Sequence, residues 1–384
     1  MKIGILVTII CGFGKKGFYH SQEVGLGKAL NELGHSVIVY KGVEKGKSMD
    51  PMKVSDSLEV RYIPISALGV HGYFPSDQLD PTLDGLLVFA DTQIFLPHIY
   101  HWCEKNGVCF VPYIGIAHSA EKNAKSILMD MLYRAGTQRI YKKIPVLVKT
   151  DAVREEMNDQ GVKNCVVTPV GLDETELKTD YREQDRSALR RAYGYTDEDV
   201  IISFVGRLKS EKRPLDMIDI FDHVKDKKQF KLLIVGEGYL YDDIRAKVKE
   251  KGLDRRVQMI QRVPYEKMWE IHYIADYFVN LCDREIFGMA LLEGIYYGSA
   301  AAAANAPGPA FILRDLPGHA LCQSDQEIER FLTAAPPSRQ ALEESVKILM
   351  RRISWEPCAR AIVEQVEAYR QKKSAAVKGG GVNA

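Results

Sequence analysis

The sequence predicts an α/β protein made of two doubly wound parallel sheets, each in its own domain. Its 384 residues suffice for two domains of ordinary size. Short apolar runs rich in β-branched residues alternate with helical patterns, which is typical of parallel strands buried on both faces. This alternation stops over residues 171–186, which gain charge, and then restarts. We therefore predict a first domain over 1–170, a linker over 171–186, a second domain over 187–357, a closing helix over 358–373 that packs back on the first domain, and a disordered tail over 374–384.

The composition is that of a soluble globular protein. Apolar residues make up 46% and charged residues 27%, and 52 Lys and Arg balance 51 Asp and Glu. This neutrality argues against a dedicated nucleic-acid-binding protein, which needs a basic excess. The seven cysteines form no C-x-x-C pair, so neither a disulfide framework nor a thiolate zinc site is predicted. No stretch is apolar enough to span a bilayer and the opening apolar run is too short for a signal peptide, so we expect a cytoplasmic protein.

In the first half, strands and helices follow in the order that a parallel sheet requires. Residues 3–10 form an unbroken apolar run and are predicted to be a buried strand. A helix over 18–34 follows and ends at Gly34, where glycine commonly terminates helices. Further strands are predicted at 35–40, 59–63, 84–89, 108–114, 146–148 and 165–169, with helices near 94–106 and 150–160.

The second half repeats the pattern. Pro214 and Pro264 lie where a first helical turn accepts proline. Strands are predicted at 200–206, 230–236, 257–260 and 275–281, and helices at 187–194, 214–225, 239–251, 264–273 and from near residue 287.

A glycine-rich loop follows the first predicted strand. Residues 12–17 read G-x-G-x-x-G, a spacing typical of dinucleotide-binding turns. The acid that should end the second strand and bind a ribose is missing, because Tyr40-Lys41-Gly42 stands there. Three interpretations stay open: a loop whose N–H groups face a phosphate, a plain tight turn, and a nicotinamide-dinucleotide site.

Two cations follow the first strand of the second half. Arg207 ends the run Phe204-Val205-Gly206-Arg207, and Lys212 lies in the same loop. Ligands of open parallel sheets bind beyond the carboxyl ends of the strands. There the guanidinium and the ammonium could hold a diphosphate from two sides. The alternative is a solvated run of charges, because positions 209, 211 and 213 are charged as well.

Two acids eight positions apart follow the strand predicted at 275–281. Glu285 closes the loop, and Glu293 lies two helical turns further on. The first helical turn is predicted over 287–290, where free N–H groups suit an anion or a sugar hydroxyl. Burying a carboxylate on an apolar helix costs free energy unless the carboxylate accepts hydrogen bonds. The hydroxyls of a sugar or a ribose are suitable donors. The alternative for Glu293 is an ordinary surface position on the helix.

Together these motifs resemble glycosyltransferase family 4, retaining sugar-nucleotide transferases of the GT-B architecture. The resemblance covers nearly the whole chain and is densest from 186 to 300. Gly206 to Lys212 matches G-R-L-x-x-x-K, and Glu285 with Glu293 matches E-x7-E. VGEG at 235–238 resembles the nucleotide-side turn, and TPVGLD at 168–173 resembles the interdomain turn.

The chain departs from the family pattern at three places. Val170 stands where Asn is usual, Ala300 where Pro is usual, and Gln261-Arg262 where Phe-x-Gly is common. These departures bear on the identity of the donor more than on the fold.

The resemblance implies a GT-B fold, with two Rossmann-like domains facing an interdomain cleft, and a role for each matching residue. Arg207 and Lys212 would neutralise the leaving diphosphate, Glu293 would hold the ribose hydroxyls, and Glu285 would hold the donor sugar. Family members generally need no bound metal or cofactor, and no D-x-D or clustered His/Asp set occurs in the cleft loops. The implied donor-binding set also includes Gly14, Gly17, Gly236, Phe287, Gly288 and Met289.

His118 follows the strand predicted at 108–114, at its carboxyl end. A lone histidine at such a place is more often structural. Its match to a histidine at the equivalent strand end in the family implies contact with the donor sugar. The implied catalytic set is therefore His118, Arg207, Lys212 and Glu285.

By resemblance, the activity is that of a retaining hexosyltransferase that moves a sugar from a nucleotide diphosphate, by family default a UDP-sugar, to a hydroxyl acceptor. Polysaccharide or glycolipid and glycoconjugate biosynthesis is the implied pathway, and the acceptor is a small molecule, a glycan or a lipid-linked sugar. The alternatives are a sugar-nucleotide epimerase or phosphorylase of related fold and a non-catalytic sugar-nucleotide-binding protein.

A basic stretch in the first half suggests contact with a membrane. Five cations and no acid occur between 134 and 149, next to the apolar run ILMDML at 127–132. A helix with this distribution could lie on an anionic membrane surface, which predicts a peripheral contact through 121–149 at the inner face of the membrane. A solvated basic helix is the alternative. The five cations are Arg134, Arg139, Lys142, Lys143 and Lys149.

Overall fold

The structure is a computed structural model, and it describes residues 1–10, 22–46, 49–69, 71–117, 124–173, 175, 177–226 and 229–379. The chain divides into two compact units. The first contains Met1–Asp173 and Ile353–Ala384, and the second contains Glu174–Arg352.

The first unit is a mostly parallel sheet with its core on both faces. Its strands run in the order β3-β4-β2-β1-β6-β7-β8-β9, and β5 pairs with β4. Only the β3–β4 and β4–β5 pairings are antiparallel among those described. The strands are β1 (Lys2–Ile10), β2 (Ser36–Glu44), β3 (Met52–Ser55), β4 (Leu58–Leu68), β5 (His71–Tyr73), β6 (Gly85–Phe89), β7 (Cys109–Ile114), β8 (Val146–Val148) and β9 (Cys165–Val167). The helices are α1 (Gln22–Glu32), α2 (Leu96–Asn106), α3 (Ala124–Ala135), α4 (Thr137–Tyr141) and α5 (Asp151–Asp159).

The second unit is a parallel sheet in the order β12-β11-β10-β13-β14-β15. Its strands are β10 (Val200–Val205), β11 (Phe230–Val235), β12 (Val257–Ile260), β13 (Tyr277–Asn280), β14 (Ala300–Ala304) and β15 (Ala320–Cys322). Its helices are α6 (Arg186–Ala192), α7 (Pro214–Val224), α8 (Tyr241–Glu250), α9 (Met268–Ile274), α10 (Met289–Tyr296), α11 (Pro307–Leu313), α12 (Asp325–Thr333) and α13 (Arg339–Arg352).

Helix ends follow the local chemistry of the sequence. Thr150 begins α5, and its hydroxyl accepts a hydrogen bond from Val153 N at 3.3 Å. Asp185 begins α6 in the same way and accepts from Ala188 N at 2.9 Å. Gly107 ends α2 in the left-handed conformation, and Pro214 occupies the first turn of α7.

The boundaries between the units differ from the predicted ones because aromatic residues anchor the connecting segments. Residues 174–186 belong to the second unit instead of standing apart as a linker. There Tyr181 is buried, its ring lies 5.0 Å from that of Tyr297, and its hydroxyl donates to Tyr296 O at 2.9 Å. Residues 353–357 belong to the first unit, where a Cβ at Gly171 would lie 2.4 Å from the Trp355 ring.

The closing helix α14 (Glu356–Gly379) packs on the first unit. Its Val366 fills the space over Gly85, where an added Cβ would come within 2.4 Å of that side chain. The prediction of a disordered tail from 374 is wrong for 374–379, because the helix continues to Gly379. Residues 380–384 lie outside the described residues. Within the described part of the chain, no helix is long and apolar enough to cross a membrane.

Candidate active site

Two glycine-containing loops cross at the carboxyl end of the second sheet. Gly206 follows β10 and Gly236 follows β11, and a Cβ at Gly236 would lie 1.8 Å from the Gly206 carbonyl oxygen. Gly236 also has a φ of +153°, so a side chain is excluded by both space and conformation. The next residues continue the contact, because Leu208 N donates to Glu237 O at 2.8 Å. This close backbone approach fixes the loop that carries Arg207 and Lys212.

Lys212 and Glu285 meet directly, although they lie 73 positions apart. The Lys212 ammonium donates to Glu285 Oε2, and the two side chains keep 19% and 16% of their surface exposed. Asn280, at the end of β13, also donates to Glu285 Oε2, at 3.3 Å. The side-chain oxygen of Asn280, Oδ1, accepts from Cys282 N at 2.9 Å, which fixes the orientation of the side-chain amide. A cation and a carboxylate predicted from separate motifs therefore form one partly exposed pair.

Arg207 lies in the same loop but makes a different contact. Its side chain is 67% exposed, and its guanidinium lies 3.7 Å from the Glu211 carboxylate. At this distance the contact is a weak surface ion pair. Arg207 therefore contributes positive charge to the solvent-facing side of the loop.

The segment between the two acids forms a tight turn into α10. Helix α10 begins at Met289, two residues later than predicted, with Gly288 before it at a φ of +102°. Phe287 is buried beneath Gly308, where an added Cβ would lie 2.2 Å from the Phe287 carbonyl oxygen. Gly308 N donates to Glu285 O at 2.8 Å, which ties this turn to the next loop.

Glu293 is buried inside α10, which excludes the interpretation of an ordinary surface residue. Its side chain is 8% exposed, and Oε2 lies 3.2 Å from Nε2 of His272 on α9. His272 is fully buried and stacks on Tyr297, with 6.2 Å between ring centroids. The two acids of the E-x7-E motif thus have separate partners and separate surroundings.

Sequence reasoning missed several polar groups at this edge. Asn280 had a usable signal, because it is a polar residue at the carboxyl end of a buried strand. The Glu237–Arg262 ion pair, at 2.8 Å, joins the loops after β11 and β12. His272 gave no signal, since it lies in a short helix whose neighbours are apolar and aromatic.

The carboxyl end of the first sheet also holds charged groups. Asp91 accepts hydrogen bonds from Gly115 N at 2.7 Å and from Ile116 N at 3.0 Å, which fixes the chain beyond β7. Lys149 lies 5.4 Å from the ring centroids of both Phe89 and Tyr113, and burial lowers its pKa. Lys149 therefore does not belong to the basic surface that was predicted from the five cations between 134 and 149. The predicted Gly14, Gly17 and His118 lie outside the described residues.

Metal ligands are not gathered in this region. Across the ranges that the structure describes, no group of three or more His, Cys, Asp or Glu side chains is placed to hold a metal ion.

Two curated relatives and a family model resemble this chain. Residues 185–350 match the family model described as glycosyl transferases group 1. The N-acetyl-alpha-D-glucosaminyl L-malate synthase of Bacillus anthracis is 26% identical over 31% of this chain and 30% of its own length. The D-inositol 3-phosphate glycosyltransferase of Segniliparus rotundus is 26% identical over 52% of this chain and 45% of its own length. The chain thus matches less than half the length of either relative.

Solved structures resemble the chain over nearly its whole length. The sucrose-phosphate synthase of Thermosynechococcus elongatus has a TM-score of 0.73 at 16% identity, covering 98% of this chain and 100% of that one. HepE of Anabaena, in complex with UDP and glucose, has a TM-score of 0.67 at 15% identity, covering 96% and 100%. The predicted resemblance and the predicted GT-B fold class are confirmed: residues 185–350 match the model of the group 1 glycosyl transferases, and the chain has the fold of GT-B glycosyltransferases.

Proposed function

We propose that the protein is a retaining glycosyltransferase that transfers a hexose from a nucleotide diphosphate, a UDP-sugar, to a hydroxyl acceptor. The donor chemistry is supported by the cationic loop at the carboxyl end of β10 and by the UDP that HepE of Anabaena binds. The proposed setting is the biosynthesis of a polysaccharide, glycolipid or other glycoconjugate.

The Lys212–Glu285 pair is the observation that carries this proposal. Each side chain is the other's counter-ion, and both keep part of their surface accessible. A donor diphosphate would take over Lys212, with Arg207 reaching it from the exposed side of the loop. Glu285 would then be released to accept hydrogen bonds from the hydroxyls of the donor sugar. Donor binding thus exchanges one ion pair for two sets of charged contacts.

The remaining roles follow the order of the chain. Glu293, held by His272, would accept hydrogen bonds from ribose hydroxyls. The backbone from Phe287 to Met289 would contact sugar hydroxyls, and Gly236 would let the nucleotide approach the backbone. Gly14 and Gly17 would contact the diphosphate and His118 the donor sugar, as the family resemblance implies.

Retention of configuration would arise by attack on the face from which the diphosphate leaves. A double displacement needs two carboxyl groups about 5–5.5 Å apart around the bond. We assign Glu285 to the sugar, and Lys212 and Asn280 both donate to its carboxylate. It therefore suits hydroxyls better than the anomeric carbon. As the acceptor oxygen bonds to the anomeric carbon, the carbon–oxygen bond to phosphate breaks and the acceptor proton passes to the leaving diphosphate. Arg207 and Lys212 would stabilise the charge that grows there.

Location and cofactor use complete the proposal. The protein would act in the cytoplasm without a resident metal, and at the inner face of the membrane when its acceptor is lipid-linked.

A donor screen tests the proposal. The full chain is incubated with UDP-, GDP- and ADP-sugars with and without simple hydroxyl acceptors, and release of free or transferred sugar is measured. We expect release from a UDP-sugar and a retained anomeric configuration in the product. Binding without any release would support the non-catalytic alternative, and a trapped glycosyl-enzyme or an inverted product would contradict same-face attack.

A further inference from the structure

Helix α3 presents an unusual apolar face to solvent. Twelve large hydrophobic side chains are exposed among the described residues, and four of them lie on this one helix. Their exposed fractions are 60% for Ile127, 52% for Leu128, 63% for Met131 and 47% for Leu132. The spacing i, i+1, i+4, i+5 places them along one side of the helix. A clustered patch of this kind marks an interaction surface, whereas single exposed apolar residues do not.

The opposite side of α3 is anchored, so the apolar face has a fixed direction. Tyr133 is 2% exposed and packs against the fully buried Tyr141 of α4, with 6.3 Å between ring centroids. The same core also contains Val146 and Val148 of β8. Turning the apolar face inward would expose Tyr133, so the outward direction is built into the packing.

Exposed cations follow this helix along the chain. Arg134 is 66% exposed and pairs with Asp130 at 2.8 Å, so those two charges offset each other. Arg139, Lys142 and Lys143 are exposed as well, and no acid follows Asp130 until Asp151. The half-buried Lys149, whose ammonium lies between the Phe89 and Tyr113 rings, takes no part. The apolar stripe of α3 is therefore followed by a short segment with a net positive charge.

We propose that this surface, the apolar face of α3 with Arg139, Lys142 and Lys143, docks on a bilayer rich in anionic lipids. The apolar side chains would enter the boundary between headgroups and acyl chains, and the cations would remain among the headgroups. Charge complementarity favours this occupant over a second copy of the chain, because two such surfaces would bring like charges together. The occupant is thus an anionic membrane surface.

Docking through α3 would also indicate the chemical class of the acceptor. This step rests on the proposed function. Helix α3 follows β7, and ligands of a parallel sheet bind beyond the carboxyl ends of its strands. Ile116, just beyond β7, is also exposed. A protein seated on α3 would hold this edge of the first sheet near the lipid surface. The acceptor class that fits is a lipid-linked hydroxyl.

Vesicle sedimentation of the full chain tests the docking surface without donor or acceptor, so it is independent of catalysis. We expect sedimentation with vesicles of equimolar phosphatidylcholine and phosphatidylglycerol, little with phosphatidylcholine alone, and release by high salt. Met131→Asp should abolish the binding, whereas Met52→Asp, a matched change at an exposed methionine on β3, should preserve it. Arg139→Ala with Lys143→Ala should weaken binding by about 25-fold, about fivefold for each cation. The control Lys249→Ala with Lys347→Ala, in the second unit, should leave it unchanged.

Several results would overturn the docking proposal. They are equal binding to both vesicle types, full binding by Met131→Asp, or a wild-type dimer in light scattering that Met131→Asp converts to monomer. A thermal shift with UDP is measured on the same variants. Loss of the UDP response together with intact vesicle binding would reject the proposed function alone, and the reverse pattern would reject the docking surface alone.

Discussion

The two acids of the E-x7-E motif sit in contrasting surroundings. Glu285 lies on a loop, and its partner Lys212 comes from another loop and keeps 19% of its side chain exposed. Glu293 lies inside a helix, and its partner His272 belongs to a second helix and is fully buried. The motif thus joins a carboxylate whose partner is partly exposed to one whose partner is fully buried.

The two acids differ in exposure because the partner of Glu285 lies on a loop and the partner of Glu293 lies on a helix. Loops at the carboxyl end of a parallel sheet are free to carry reacting groups, while helices packed on the sheet supply rigid support. Backbone contact with Gly236 holds the loop that carries Lys212, and a hydrogen bond from Gly308 N holds the backbone of Glu285. Tight packing holds the second pair. We infer that Glu285 acts during the reaction and that Glu293 presents a fixed surface to the nucleotide.

Glu285→Gln should produce the largest effect and separate chemistry from binding. Loss of the carboxylate removes contacts to the donor sugar, so sugar transfer should fall on the order of a hundredfold. UDP affinity should stay the same or rise, because Lys212 loses its competing counter-ion. The free energy of unfolding should change by less than about 1 kcal/mol, since the pair is partly exposed. A variant with full transfer activity would contradict the exchange of partners.

His272→Leu should act on stability first. It removes the polar imidazole that lies 3.2 Å from the buried Glu293 carboxylate. Taking such a neighbour from a buried polar group costs about 1–3 kcal/mol. Urea unfolding measures this loss. His272→Gln, which keeps a polar group beside Glu293, should recover part of the stability and of the UDP affinity. Equal stability of His272→Leu and wild type would show that the pair is not coupled.

His319 provides a pH-dependent contrast to His272. Its Nδ1 accepts from Ala301 N at 2.9 Å, its Nε2 bonds Ser345 Oγ at 2.8 Å, and burial lowers its pKa to about 4. The unfolded chain takes up a proton near the ordinary pKa of 6.5 while the folded chain does not. Stability is therefore lost as pH falls from about 6.5 towards about 4, by about 2 kcal/mol between pH 7 and pH 5.

Unfolding at a series of pH values checks this expectation. His319→Asn cannot titrate, so the difference between wild type and variant should shrink as the pH falls. A difference that stays constant from pH 7 to pH 5 would refute the assignment.

Arg207→Ala should have the smallest of these effects. The side chain is already solvated, so the resting structure loses only a weak contact to Glu211. UDP affinity should fall by about tenfold, with uridine affinity unchanged, because one charge-assisted contact to the diphosphate is lost. Glu211→Ala is the matched control and should leave UDP binding intact. Parallel losses for UDP and uridine would remove Arg207 from the diphosphate site.

The sequence pattern predicted most strands of the two parallel sheets. It did not predict the strands that form only because they pair with a neighbouring strand. The run Ala300–Ala304 forms β14, although alanine has little preference for strands. It becomes a strand because it pairs with β13 on one side and β15 on the other, and all five of its side chains are buried. Similarly, β3 and β5 are short antiparallel additions to β4, and no local pattern announces them.

At the candidate site, the sequence predicted which residues lie at the edge of the sheet but not which side chains contact one another. Arg207, Lys212 and Glu285 follow buried strands, so sequence spacing places them at one edge. The Glu293–His272 contact joins two helices whose packing depends on Phe278, which lies 5.8 Å from the His272 ring and beneath Gly294. Lys149 follows a strand of three residues, Val146–Val148, which is too short for periodicity to show that the Lys149 side chain packs between aromatic rings.

Calorimetric titration of UDP and uridine on wild type, Lys212→Ala and Lys209→Ala tests the central claim, that Lys212 binds the donor diphosphate. The account predicts that Lys212→Ala loses about 10- to 100-fold in UDP affinity, since a charge-assisted contact is removed, and keeps its uridine affinity. Lys209→Ala removes the same charge from the same loop and should bind both ligands like wild type. Equal losses for UDP and uridine in Lys212→Ala, or an equal loss of UDP affinity in Lys209→Ala, would contradict the account.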